Sequence, residues 1–135
     1  MSGDVELLVM QVDGKQFAIQ VDSIAEVIDA VEAIAFIDKP PGIHGLINLR
    51  GEIVPVHDLR HYMGGTTREL IATDEIVIVN DGAVKIGIAV DGIDTVKTYL
   101  EDQLFAQSLS PNAFKVLRIT DRKLFIDDIR TLIEL

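Results

Sequence analysis

The chain contains no cysteine. Disulfides, thiolate metal sites and cysteine nucleophiles are thereby excluded, and the absence fits a reducing compartment. Positive charge is also scarce. Twelve Lys and Arg stand against 22 Asp and Glu, for a formal net charge of −10. Non-specific nucleic-acid binding needs a basic patch, and so does an anionic membrane surface, so neither is expected as a partner. No apolar run approaches the roughly 20 residues of a membrane helix, so no direct membrane insertion is expected. The first residues, Met1-Ser2-Gly3-Asp4-Val5-Glu6, are acidic and lack the basic region of a signal peptide. These absences together read as a soluble, cytoplasmic protein.

Catalytic motifs are missing too. Gly64-Gly65-Thr66-Thr67 lacks the phosphate-cradling pattern, and no lysine follows a glycine run. Ser23, Ser108 and Ser110 sit in no Gly-x-Ser-x-Gly elbow. His57 and His61 have the i, i+4 spacing of a helical metal site, but His57 falls at a strand end, before the expected helix cap. The pair therefore reads as surface histidines, and His44 as a lone loop histidine. Asp127-Asp128 is a carboxylate pair of the kind used in acid–base chemistry, yet at a strand-to-helix junction it reads better as a cap. No catalytic, cofactor-binding or metal-ligating residue is expected.

What the chain does have is β pattern. Its 135 residues suffice for one domain, or two very small ones sharing a core, burying roughly two-thirds of the unfolded surface. Hydrophobic content is 48% and mean hydropathy +0.30, high for a small chain. Partner-binding patches and a thoroughly buried β core explain that surplus equally well. Residues 1 to 40 hold eight acids (Asp4, Glu6, Asp13, Asp22, Glu26, Asp29, Glu32 and Asp38) against Lys15 and Lys39. This is a solvated acidic face or a docking surface for a basic partner.

An internal repeat organises the rest. Glu6-Leu7-Leu8-Val9-Met10 aligns with Glu75-Ile76-Val77-Ile78-Val79, Val21-Asp22-Ser23-Ile24 with Val90-Asp91-Gly92-Ile93, and residues 54–60 with 124–130. Each copy predicts an apolar strand, an Asp-Gly turn (Asp13-Gly14, Asp81-Gly82), a second strand (Gln16 to Val21, Val84 to Val90), and a short polar or helical step. A third strand, a variable loop, a hairpin and a short terminal helix follow. The frame is one domain over 1–135, with pseudo-repeats at about 5–63 and 74–134 and a linker at 64–73. Short Val- and Ile-rich strands broken by turns point to two small barrel-like halves of one β-rich protein.

The most informative stretch is Gly45 to Arg60. It predicts a strand over Leu46 to Leu49, a polar turn at Arg50-Gly51-Glu52 and a resumed strand through Ile53, Val54 and Val56. Pro55 cannot donate to a ladder, which places this strand at an edge or bulges it there. Asp58 is the expected N-cap of a helix beginning at Leu59 and ended by Gly64-Gly65. Arg50, at a strand end beside a glycine, can fork onto a carboxylate.

Gly45, Asn48, Leu49, Arg50, Gly51, Pro55, Asp58, Leu59 and Arg60 fall at the spacings Gly-x-x-Asn-Leu-Arg-Gly-x-x-x-Pro-x-x-Asp-Leu-Arg. The chain thereby resembles the CheW family of bacterial and archaeal chemotaxis. The resemblance covers about residues 5 to 134. It implies an all-β fold with short helices: two packed, intertwined, SH3-like five-stranded β-barrels. It also implies a non-catalytic adaptor that joins the cytoplasmic tip of a chemoreceptor to the regulatory domain of a CheA-type histidine kinase. The receptor groove would be lined by Ile24, Glu26, Gly45, Asn48, Arg50 and Gly51, with Arg50 and Glu26 interacting.

Three departures from the family accompany the resemblance. Ile43-His44 stands where an aromatic residue is usual, the loop from Phe105 to Phe114 is short and holds only Pro111, and Phe114 to Ile119 replaces a Gly-rich strand. The last two lie in the second barrel, where family members contact the kinase or neighbouring rings, and no residue is carried over there. The alternatives are an adaptor of a chemosensory system controlling pili, development or gene expression, a small enzyme or ligand sensor using the inter-barrel cleft, and a self-assembling structural module.

Overall fold

The computed structural model describes residues 4–30 and 40–132. Glu32, Asp38 and Lys39 of the acidic stretch, Met1, Ser2 and Gly3, and the last residues of the second pseudo-repeat lie outside the described residues. The first half gives β1 (Val5–Val12), β2 (Lys15–Gln20), a 3₁₀ turn (Val21–Ser23), β3 (Ile24–Asp29), β4 (Ile43–Leu49), β5 (Glu52–Asp58) and α1 (Leu59–Tyr62). The second gives β6 (Glu75–Asp81), β7 (Val84–Val90), β8 (Gly92–Tyr99), α2 (Glu101–Ser108), β9 (Lys115–Thr120), β10 (Lys123–Asp127) and a closing 3₁₀ turn (Ile129–Leu132).

The strands form two five-stranded sheets that exchange partners. One runs β10-β9-β2-β1-β8 and the other β3-β6-β7-β5-β4. Each takes its central hairpin from one half of the chain and three strands from the other, so sequence halves do not map onto spatial halves. This is the intertwined two-barrel arrangement that the resemblance implied. The sheets are not equivalent, however. In the first, β2 runs parallel to β9, and in the second β7 runs parallel to β5. The terminal hairpins, β4–β5 and β9–β10, thus join their sheets by different strands.

Alternation explains why the central strands read as unbroken apolar runs. In β6, Ile76 and Ile78 pack with Ile47, Val54 and Val56 inside the second sheet. Val77 and Val79 face the other way, into a core with Met10, Ile19, Ile86, Ile88 and Leu117 that belongs to both sheets. In β1, Leu7 joins Ala18, Leu104, Phe114 and Ile129 under the first sheet, while Leu8 and Met10 enter the shared core. A strand covered on both faces has no polar face to show. Burying each such side chain contributes roughly 2 kcal/mol. The hydrophobic surplus is therefore in large part a two-sided β core.

Three expectations need correction. Pro55 is not on an edge strand, because β5 lies between β7 and β4. It is tolerated because the parallel ladder to β7 begins only at Val56, one residue later. The bulge expected near it falls instead on β4, between Ile43 and Gly45. The second hairpin turn is shifted by one residue. Asp81 still pairs with Val84, and Gly82 (φ 64°) and Ala83 make the loop, whereas in the first hairpin Asp13 (φ 54°) and Gly14 (φ 74°) do so. Finally, Phe105 to Ser108 is helix, not loop. Its start carries no Ser, Thr, Asp or Asn cap. Instead Gln103 Oε1 accepts the Leu100 N–H at 2.8 Å, and Glu101 and Asp102 favour the helix dipole.

Candidate functional site

The site begins with a strained turn. Leu49 pairs with Glu52, which leaves Arg50 and Gly51 as a two-residue loop. Both have positive φ, 51° and 88°. This is the hairpin geometry that matches strand twist, but Asn, Asp or Gly is the usual first residue, not Arg. Asn48 Oδ1 accepts the Gly51 N–H at 2.7 Å and closes the turn.

From that turn the Arg50 guanidinium reaches β3. Nη1 donates to Glu26 Oε1 at 3.3 Å and Nη2 donates to Oε2. β3 and β4 are the two outer strands of the same sheet. The sheet therefore curls until its edges approach, and the Arg50–Glu26 fork spans the seam. The Arg50 side chain remains 69% exposed, and that of Glu26 28%. The hydrogen bond to the Glu26 carboxylate, with its charge, holds the Arg50 pKa above the usual value.

Of the expected groove residues, Ile24 and Glu26 come from β3, where a bulge falls between them. Ile24 is half-buried against the shared core. Gly45 is buried in β4, and Asn48 is exposed near the end of that strand. The arrangement thus gathers Glu26, Asn48, Arg50 and Gly51 at one end of the seam. Ile53 on β5, opposite Asn48, and Val27 on β3 add exposed apolar surface that sequence reasoning did not single out. Their signal was an apolar residue at an outward position of an alternating strand.

A CheW-like domain model matches residues 6–129. The chain belongs to the CheW-like family. The "Chemotaxis protein CheW" of Klebsiella aerogenes is 27% identical over 137 aligned positions, covering 95% of this chain and 81% of that protein. That of Thermotoga maritima is 31% identical, covering 79% and 70%. The "Probable chemotaxis protein CheW" of Rhizobium etli is 26% identical, and the match spans 74% of this chain and 64% of that protein's length. Among solved structures, the scaffolding protein TtCheW from Thermoanaerobacter tengcongensis aligns with a TM-score of 0.69 at 27% identity, over 95% of this chain and 89% of that one.

The CheW-like signature also builds a second polar cluster, which the sequence did not reveal. Asp58 caps α1, its Oδ1 accepting the Arg60 N–H at 3.0 Å. Arg60 Nη2 then donates to both Asp91 oxygens at 2.8 Å. Asp91 also accepts the Asp13 N–H at 2.8 Å and a bond from Arg68 at 3.0 Å. Arg68 forks onto buried Asp74 at 2.7 and 2.8 Å. Burial pushes the Asp74 carboxyl up. Hydrogen bonds from Arg68 and the Ile71 N–H, with the Arg68 and Arg60 charges, more than offset this, so it lies below the usual value. The linker thereby acquires a structural role, tied to both halves of the CheW-like fold through one carboxylate.

His61 is exposed as expected, but the other two histidines differ from expectation. His57 is buried, with Nδ1 hydrogen-bonded to the Tyr62 hydroxyl at 2.8 Å. Burial pushes its pKa down to about 4, so it is neutral at pH 7. It is a packed core group rather than a surface one, because the last residues of β5 lie against β7. His44 lies in strand β4 at the bulge, its Nε2 3.7 Å from Asp58 Oδ1. Asp127 and Asp128 stand at the expected strand-to-helix junction, Asp128 directly before the closing 3₁₀ turn, where its backbone carbonyl accepts the Thr131 N–H at 3.0 Å. Their carboxylates take Arg118 at 2.7 Å and Lys115 at 2.5 Å, both from β9.

Among the described residues no helix is long and apolar enough to cross a membrane.

Proposed function

We propose that this chain is a cytoplasmic, non-catalytic coupling protein of a chemotaxis pathway, acting as one CheW-like domain. It links the cytoplasmic tip of a chemoreceptor to the regulatory domain of a CheA-type histidine kinase. The observation that carries the reading is the Arg50–Glu26 fork across the seam of the second sheet. Its cation is exposed, and so are Val27, next to Glu26 on β3, and Ile53, three residues after Arg50 on β5. An apolar groove edged by a fixed charge suits the helical hairpin of a receptor tip, whose anchors recur every three to four residues. Membership of the CheW-like family and likeness to a scaffolding protein support the same role. Coupling then needs only binding energy and two rigid sheets sharing one core.

Calorimetric titration with the kinase's regulatory domain, then with a receptor-tip fragment, tests the proposal. Saturable one-to-one binding of both, with the receptor step lost in Arg50→Glu, is the expected result. Binding of neither by well-folded protein overturns it.

A further inference from the structure

We propose that Asn48 serves this site as a positioning residue, holding the backbone conformation that aims Arg50 at Glu26, rather than as a contact to the partner. The inference rests on the receptor-groove reading above, but its first test does not depend on any partner.

The Arg50–Gly51 turn is strained at Arg50, a non-glycine residue with φ 51°. Among the described residues only Asp13, Arg50, Asp121 and Arg122 have positive φ without being glycine. Asp tolerates that region because its short polar side chain bonds locally, whereas Arg has no such help. A hairpin needing only to connect two strands would carry Asn or Gly at this place. Strain retained at an exposed arginine points to a use for its side chain. The compensating bond comes from Asn48, whose Oδ1 accepts the Gly51 N–H. The strained Arg122 turn is held differently, by its own backbone N–H donating to Asp81 of the other sheet. With Asn48 in place, the loop leaves the guanidinium within reach of β3. Without it, the loop relaxes and the guanidinium swings into solvent.

Asn48→Ala removes the acceptor and Asn48→Asp keeps it. Amide exchange at Gly51 and the NMR signals of the Arg50 guanidinium are measured in both, and receptor-tip affinity alongside. In Asn48→Ala, Gly51 exchange should accelerate at least about fivefold. The Arg50 guanidinium signals should merge to those of a free arginine, and affinity should fall to the level of Arg50→Ala. Asn48→Asp should restore all three. Asn48→Ala with Arg50 still paired to Glu26 overturns the positioning role. So does lost binding with unchanged Gly51 and Arg50 signals, because Asn48 would then touch the partner itself. If wild-type protein binds no receptor tip, the groove reading fails separately, and the Gly51 and Arg50 signals alone decide the positioning claim.

Discussion

Arg50 and Glu26 stand 24 residues apart in sequence and on opposite edges of one sheet, yet their side chains form a forked ion pair. Exposed pairs of this kind contribute little to stability. Their value is geometric, because they present fixed charge of both signs beside an apolar seam. Arg50→Glu should abolish detectable receptor-tip binding and Glu26→Lys should weaken it by roughly tenfold or more, each with little change in melting temperature, and the charge swap should recover part of the loss. Affinities by calorimetry check this. A double variant no better than the singles would show that the pair does not create the site.

Asp91 is expected to matter more to stability than its repeat counterpart. It receives Arg60, Arg68 and the Asp13 N–H, whereas Asp22, aligned with it in the repeat, is exposed. Arg60 is mostly buried, so Asp91→Ala leaves a largely desolvated cation without the carboxylate it forks onto. The loss should be about 2 kcal/mol or more, read from urea unfolding midpoints. Asp22→Ala should stay within about 0.5 kcal/mol. Equal effects would mean that the network does not hold the halves together.

His57 gives the fold a pH dependence whose sign is fixed. Its folded-state pKa is about 4, against 6.5 for the unfolded chain. Between those values the unfolded state binds a proton that the folded state does not, so stability falls as pH drops through this window. From pH 7.5 to pH 5 the loss from this residue is about 2 kcal/mol. His57→Gln should remove that part of the slope, as measured by denaturant unfolding at both pH values. An unchanged slope would locate the acid sensitivity elsewhere.

The shared core should be the least tolerant part. Ile88 is fully buried in β7, on the face that meets the other sheet. Ile88→Ala should cost about 2–5 kcal/mol. The exposed Ile53→Ala should cost under about 1 kcal/mol in stability while weakening receptor-tip binding. Comparing melting temperature with affinity in the two variants separates core from surface.

Much of the architecture was legible because it rests on local rules. The turn at Arg50-Gly51, the Asp58 cap and the strand Val84 to Val90 each follow from residue type at a fixed place. The exchange of strands between sheets was not legible from the repeat alone. Leu7 and Leu8, or Ile76 and Val77, are equally apolar, and nothing in either says which core it enters. It came instead from the family resemblance. α2 escaped because only Leu104 is buried along it, so no apolar stripe marks a helix. The burial of His57 escaped for a similar reason. Its partner, Tyr62, is five residues away on α1, and only the packing of that helix brings the ring nitrogen and hydroxyl together. Of the site, the residues alone said only that Arg50 could fork onto a carboxylate; the family resemblance named Glu26 as its partner, and the seam they span depends on how the sheet curls.

The most direct test of the coupling role is bridging itself. A kinase regulatory domain and an immobilised receptor-tip fragment would be mixed with and without this protein, and the kinase domain retained on the receptor would be measured. The coupling account predicts retention only when this protein is present, saturating at equal amounts and lost with Arg50→Glu. Retention that is independent of this protein, or absent despite tight binding to each partner alone, would contradict it.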